Sequence, residues 1–357
     1  MNEKEIVLSG IRATGNLHLG NYYGALRNFV KMQDDYDCNY FIADLHALTT
    51  NPDPVELHEN VKNILAEYLA AGVDPEKATI FVQSDVPEIS EMYLLLNMHV
   101  GIGELLRTTS FKDKARKQLG ISTDSDEDIE KQIVGNESNK RVNAGLLTYP
   151  TLMAVDILIQ KARKVPVGKD QEQHLELTRR FARRFNSFYN VDLFPEPENF
   201  NFGQNAVKVP GLDGSGKMGK SEGNCIYLVD EEKVLRKKVM RAVTDEGPKT
   251  PGQPISEPVN NLLTLMELTT APEIVQSYRD AYADCSIRYG DMKKQLAEDI
   301  LKVTTPIRER YQAIRLYCQG CEPRSRACPR ACLTHPSRGE EGHGYHQVLL
   351  IHLLFLS

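Results

Sequence analysis

Ile6-Val7-Leu8-Ser9-Gly10-Ile11-Arg12-Ala13-Thr14-Gly15-Asn16-Leu17-His18-Leu19-Gly20-Asn21 is the stretch from which the fold can be read. Ile6 to Ile11 is a short apolar run of the kind that forms a buried strand, and from Asn21 to Met32 the apolar residues recur at helical spacing. The glycine-bearing turn between them lies where the first strand ends and the first helix begins. In an open parallel sheet, strand carboxyl ends and helix N-termini converge there, so unpaired N–H groups and the positive helix end face a phosphate chain. Gly20 allows close approach, and His18 and Asn21 supply donors. A turn that uses glycine only for tight geometry is the competing reading of this segment alone.

Outward from this turn the same alternation continues. Tyr40 to Asp44, Thr79 to Gln83 and Val165 to Val167 read as strands, and Val55 to Ala71, Leu146 to Gln160 and Gln171 to Phe188 as helices. Alternating strands and helices build a doubly wound α/β parallel sheet of Rossmann type, covered on both faces. The segment 120–140, with Asp124, Asp126, Glu127 and Asp128, is too charged for a core and reads as an exposed acidic insertion. Past Gly223 the pattern becomes purely helical, with Glu231 to Ala242, Asn260 to Leu268, Glu273 to Tyr282 and Ile287 to Val303 as candidates. The expected organisation is a catalytic domain over 1–223, a helical domain over 224–315 and an atypical tail over 316–357.

Bulk properties set the outer limits. The 357 residues suffice for one large or two ordinary domains, and 41% hydrophobic with 26% charged residues is ordinary for a soluble globular protein. A net charge of -6 argues against a surface that is wholly a nucleic-acid footprint, while leaving room for a local basic stripe. Met1 to Glu5 has no room for an export signal before the first strand. The run Val348 to Leu356 is shorter than the roughly 20 apolar residues of a membrane span. Of seven cysteines, Cys38, Cys225 and Cys285 stand isolated, as reduced thiols do in the cytoplasm.

The second chemical signal is Asp213-Gly214-Ser215-Gly216-Lys217-Met218-Gly219-Lys220-Ser221, a loop with two lysines three apart. Gly211 to Met218 nearly matches a P-loop, but Met218 stands where a P-loop needs a hydroxyl for magnesium, and the loop is far from the first strand. Paired with His18-Leu19-Gly20-Asn21, the segment Lys217-Met218-Gly219-Lys220-Ser221 resembles the two signatures of class I aminoacyl-tRNA synthetases. Further stretches are similar to the tryptophan branch of that family: Gly15 to Leu26, Ala144 to Pro150 with Met153 and Asp156, and Val165 to Gln171 through His174 to Arg179. The resemblance spans residues 5 to about 315.

What the resemblance implies is specific. The expected activity is ATP-dependent formation of tryptophanyl-adenylate, then transfer to the 3′ end of tRNA(Trp), by a cytoplasmic homodimer. The alternatives are a tyrosine-specific enzyme of the same class and a catalytically silent RNA-binding relative. Lys217 and Lys220, with His18 and Asn21, are expected to stabilise the departing pyrophosphate, with Mg2+ carried on ATP rather than held in a protein site. Arg12, Ala13, Thr14, Gly20, Asn21, Gly168, Lys169, Asp170 and the segment Lys217, Met218, Gly219, Lys220, Ser221 fall on nucleotide-binding positions. Gly10, His46, Met153, Asp156, Val165, Val167 and Gln171 are expected around the amino acid.

Within that set, Asp156 lies on an otherwise apolar helix; read alone it is a helix-surface or capping aspartate, whereas a buried one needs a strong partner, which the family supplies as the substrate's indole N–H. On this view a substrate lacking that donor leaves the carboxylate unpaired. Lys112 and Lys114 have two readings, added positive charge over the phosphates when the site closes or an ordinary solvated helix end. For tRNA, Arg179, Arg180, Arg183 and Arg184 form one candidate ridge and Arg236, Lys237, Lys238 and Arg241 another, against the alternative of ordinary solvated helix faces.

Two departures stand out. Gly219 sits where the lysine signature commonly has a serine. From Leu316 the expected charged helices give way to Cys318, Cys321, Cys328, Cys332 and several prolines. That spacing admits a zinc or iron–sulfur site. The competing expectation is a reading frame shift that replaces a helical end, with no metal and a disordered tail.

Overall fold

The computed structural model describes residues 4–50, 52–120, 142–168, 171–200, 202, 208–214 and 216–320. Five parallel strands form one sheet in the order β3-β2-β1-β4-β5: β1 (Ile6–Arg12), β2 (Asp37–Ala43), β3 (Ala78–Val82), β4 (Lys164–Val165) and β5 (Glu198–Asn199). β1 pairs with β2 along its full length, Ile6 opposite Asp37 and Arg12 opposite Ala43, and on its other edge with β4. Strand order therefore reverses beside β1. Its carboxyl end is the switch point where such sheets leave a crevice for ligands.

Helices cover both faces. One face carries α1 (19–32, wound as a π-turn at Tyr22–Leu26) and α2 (Pro54–Ala71). α2 begins as its sequence dictates: the Asp53 side chain accepts N–H bonds from Val55 and Glu56, Pro54 occupies the first turn, and Gly72 ends the helix at φ 108°. The other face carries α3 (Pro87–Asn97), α5 (Ala144–Ile159) and α6 (Glu172–Tyr189), with α4 (Thr109–Leu119) at the rim. The segment between α4 and α5, which includes the acidic insertion, lies outside the described residues over 121–141.

Beyond residue 224 come α7 (Glu232–Met240), α8 (Glu257–Thr269), α9 (Pro272–Ala283) and α10 (Tyr289–Gly320). These do not stand apart from the sheet. Val7, Leu26 and Tyr68 share one continuous apolar core with Leu235, Leu262, Met292 and Ile300. α10 runs well past Val303, through Pro306, because its far half docks on α2: Arg310 Nε donates to the Ala70 carbonyl at 2.6 Å and the Tyr311 hydroxyl to Asn63 Oδ1 at 2.9 Å. A proline normally costs an interior helix about 3 kcal/mol, and packing offsets it here. The tail cysteines Cys321, Cys328 and Cys332 lie outside the described residues.

Candidate active site

A cavity of about 450 Å³ opens at the switch point. Gly10 and Arg12 enter it from β1, Ala43 and His46 from the end of β2, and Val165 to Gly168 from the chain after β4. α5 supplies Tyr149, Met153 and Asp156, which share a stripe because they are spaced four and three residues apart. Gln171 and, from α4, Lys114 complete the wall. All seven residues expected around the amino acid line this one cavity. Gly10 is dictated by space, since a Cβ there would lie 2.6 Å from the Phe41 ring.

Asp156 is 3% exposed at the cavity floor. Burial pushes its carboxyl pKa up, opposed first by the hydrogen bond from His46 and also by that from Gln83. His46 Nε2 is 3.0 Å from Oδ2, and the Gln83 amide nitrogen donates to Oδ1 and Oδ2 at 2.8 and 2.9 Å. The expectation that a substrate without an N–H donor would strand this carboxylate therefore needs correcting, because the protein itself satisfies it. Gln83, at the end of β3, went unassigned in the sequence: a glutamine there has no signature, and its partner is 73 residues away.

Above the floor, Tyr149 connects to α4 and α6. Its hydroxyl donates to Ser110 Oγ at 2.6 Å and lies 2.8 Å from His174 Nε2, while His174 Nδ1 meets Gln171 Oε1 at 2.9 Å. Lys114 Nζ sits 3.7 Å above the Tyr149 ring, a cation–π contact that places a positive charge at the cavity mouth. Lys112 lies on the same short helix. Tyr149 was legible in principle, as it sits seven residues before Asp156 on one helix face.

The two motif segments meet next to this cavity. Leu17 to Leu19 pairs with Ile226 to Leu228, which anchors the first loop to the end of the second. Lys220 Nζ donates to the Gly15 carbonyl at 2.6 Å and to that of Thr14 at 3.3 Å. Burial lowers the Lys220 pKa, with buried Glu67 pulling the other way. Glu67 accepts the Leu17 N–H at 3.0 Å, and burial pushes its pKa up to about 8.

His18 is nearly buried. Desolvation, then the charges of Lys220 and Lys217, hold its pKa down to about 4, so it is neutral at pH 7. Its Nδ1 and the Nε of Arg12 are buried polar atoms with no hydrogen-bond partner among the described residues. Asn21 spends its side-chain oxygen on the His18 N–H at 3.1 Å, leaving its NH2 as the donor end.

The lysine loop is shaped by Asn224, another residue the motif reading missed. It accepts the Gly219 N–H at 2.9 Å and donates to Asp213 Oδ1 and to the Lys217 carbonyl. Met218 is buried and gives its N–H to the Val209 carbonyl, while Lys217 is exposed. Ala13 lies buried under the first loop and Thr14 is exposed on it. Gly20 packs beside His18 and Met218. Lys169, Asp170 and Ser215 lie outside the described residues.

The candidate tRNA ridges fare differently. On α6, Arg179 and Arg183 pair with Glu176, and Arg180 and Arg184 with Glu104. Those charges are largely neutralised within the protein. On α7, Arg236 is held by Glu232 and Glu298 and Lys238 by Asp230, whereas Lys237 and Arg241 are exposed and carry no ion pair among the described residues.

The chain is similar to known proteins over most of its length. Residues 1–304 match the family model described as tRNA synthetases class I (W and Y). The chain is 60% identical over 311 residues to a tryptophan–tRNA ligase of Porphyromonas gingivalis, covering 87% of this chain and 89% of that one. It is 41% identical over 314 residues to a tryptophan–tRNA ligase of Listeria monocytogenes, with 87% of each covered. Among solved structures, a tryptophanyl-tRNA synthetase from Campylobacter jejuni complexed with ADP and tryptophan superposes with a TM-score of 0.75 at 28% identity. That match covers 98% of this chain and 97% of the other. One from Mycoplasma pneumoniae gives 0.75 at 31% identity, covering 99% and 98%.

Proposed function

The chain belongs to the class I tRNA synthetases of the tryptophan and tyrosine group, and from that premise we propose how its residues divide the work. The protein is an ATP-dependent ligase that joins tryptophan to tRNA. The observation that carries the residue assignment is the meeting of three features: a buried acceptor at the floor of the cavity, unpartnered polar atoms of Arg12 and His18 on the first motif, and a lysine of the second motif seated on the first.

Tryptophan enters the cavity with its indole against Met153, Val165 and Val167 and its N–H directed at Asp156. Gln171 and Tyr149 face its α-amino and carboxylate end. In the first step a substrate carboxylate oxygen attacks the α-phosphorus of ATP, and the bond to the bridging oxygen breaks with its electron pair leaving on pyrophosphate. Charge grows on the leaving group, so donors that meet it only in the transition state accelerate the step. His18, neutral, donates an N–H without repelling the lysines. Lys217 and Lys220 supply positive charge, for which Lys220 must leave the Thr14 and Gly15 carbonyls. Magnesium arrives with ATP. In the second step a ribose hydroxyl at the tRNA 3′ end attacks the carbonyl carbon and AMP departs.

The helical part over 224–315 is proposed to receive the anticodon end of tRNA, with Lys237 and Arg241 as phosphate contacts. A second copy of the chain is proposed to cover the exposed apolar residues Leu94, Met98, Ile102 and Phe188. No helix among the described residues is long and apolar enough to cross a membrane, and we assign the enzyme to the cytoplasm, where its substrates are. ATP–pyrophosphate exchange across the twenty amino acids is the test. Exchange with tryptophan alone is expected, and exchange with tyrosine alone overturns the pocket assignment.

A further inference from the structure

We propose that Gln83 is a positioning residue for tryptophan selection, holding the Asp156 carboxylate oriented and ionised so that it can accept an indole N–H. The inference rests on the tryptophan assignment of the cavity and adds to it a residue outside the cavity lining.

The orientation of the glutamine amide is fixed by a backbone donor. Gln83 is fully buried in the helical turn that follows β3. Its side-chain oxygen accepts the backbone N–H of His46 at 3.3 Å, and a backbone N–H can only donate. The amide is thereby fixed with its NH2 toward Asp156, where it reaches both carboxylate oxygens. An NH2 group cannot accept. A proton on Asp156 would therefore have to face His46 Nε2 or displace a bond from Gln83.

This matters because the surroundings push the other way. A carboxylate buried this deeply favours its neutral form, and neutral Asp156 would offer an indole N–H a poorer acceptor. Gln83 donates to both oxygens and so penalises protonation, while His46 Nε2 lies within hydrogen-bond distance of one of them. Of roughly four acceptor sites on a carboxylate, these bonds occupy three, which leaves capacity for one further donor. The titratable groups acting on Asp156 are His46 and Asp44, both from the turn after β2. Gln83 comes from a different strand end, so the carboxylate is gripped from two elements.

The readout is a ratio of substrates. Pyrophosphate exchange is measured for tryptophan and for the analogue in which sulfur replaces the indole N–H, in wild type, Gln83→Leu and Gln83→Glu. Both substrates are run on the same preparation, so the ratio of their kcat/KM values is independent of the folded fraction. Gln83→Leu is expected to lower that ratio by about 10- to 100-fold, the scale of a lost hydrogen bond to a charged group. The rise should appear in KM for tryptophan, with KM for ATP unchanged. In Gln83→Glu, the protonated acid still donates and the ionised one does not. Its ratio should therefore fall relative to wild type as pH rises from about 6 to about 8.5.

A Gln83→Leu ratio equal to wild type overturns the proposal, as does equal loss for both substrates, since a merely structural role would produce that. A wild-type enzyme that fails to exchange with tryptophan at all would instead overturn the tryptophan assignment. The two failures are thus distinct.

Discussion

The floor of the cavity and the lysine loop are built on opposite plans. At the floor, Asp156, His46 and Gln83 close a hydrogen-bonded set of buried groups on strand ends and a core helix. In the loop, Lys220 spends its ammonium on two carbonyls of the neighbouring loop, Thr14 and Gly15. One region is finished before substrate arrives, while the other has to rearrange. On the proposed division of labour, selection belongs to the hydrogen-bonded floor and rate to the lysine loop, since recognition needs preorganisation and charge stabilisation is required only in the transition state.

The sharpest test of that division is removal of the cation. Lys220→Ala is expected to lower the rate of pyrophosphate exchange by about 10²- to 10³-fold, the usual effect of losing one preorganised donor. KM for tryptophan should stay within a small factor of wild type. A large rise in that KM would mean the loop also shapes the pocket, and the comparison would break. The mirror experiment is Asp156→Ala, which strands His46 and Gln83 without their acceptor. Each buried unsatisfied group costs about 1–3 kcal/mol. That cost should appear as a lowered Tm, while loss of the acceptor for the indole N–H should raise tryptophan KM by about 10-fold or more, with ATP KM nearly constant in the same assay.

How much of this was readable beforehand follows the same line between local and distant. The strand-turn-helix at Gly10 to Asn21 was legible because its signals are neighbours in sequence, and with it came the sheet and the site at its edge. Asp156 was legible as a charge on an apolar helix. Gln83, Glu67 and Asn224 were not. Glu67 grips Leu17 from 50 residues away, and nothing in the helix around it marks it as special. β5 was missed because Glu198 and Asn199 are polar and carry no strand signal, and α3 because its N-cap, Val86, makes no side-chain cap bond. α10 continues past its own Pro306 because its far half docks on α2. Gly219, a departure from the usual serine, is not required by space, since a Cβ there would meet only Glu222 at an ordinary 3.5 Å.

A smaller effect separates the two regions by pH. In the folded chain burial raises Glu67 to about 8 from an ordinary 4.5. The folded state thus keeps a proton that the unfolded chain has released, so this contribution to stability is complete below about pH 4.5 and is lost as pH rises toward about 8. Glu67→Gln retains an acceptor for the Leu17 N–H and removes the titration. Its Tm should decline less steeply over that interval than wild type, as followed by thermal unfolding at several pH values. An identical slope would mean that Glu67 is not the group responsible.

The smallest expected effect concerns tRNA, where the comparison extends to charge already spent and charge still available. Arg183 and Arg184 are engaged by Glu176 and Glu104, so reversing them should disturb local pairing more than RNA binding. Lys237 stands exposed on α7 with no ion pair among the described residues, while its neighbours Arg236 and Lys238 are both held. Lys237→Glu should raise KM for tRNA a few-fold, leave pyrophosphate exchange untouched, and reduce the salt dependence of tRNA affinity by about one unit of slope. A change in exchange without a change in salt slope would move the phosphate contact off this helix. The reverse result, a larger loss from Arg183→Glu than from Lys237→Glu, would show that intramolecular pairing does not remove an arginine from RNA recognition.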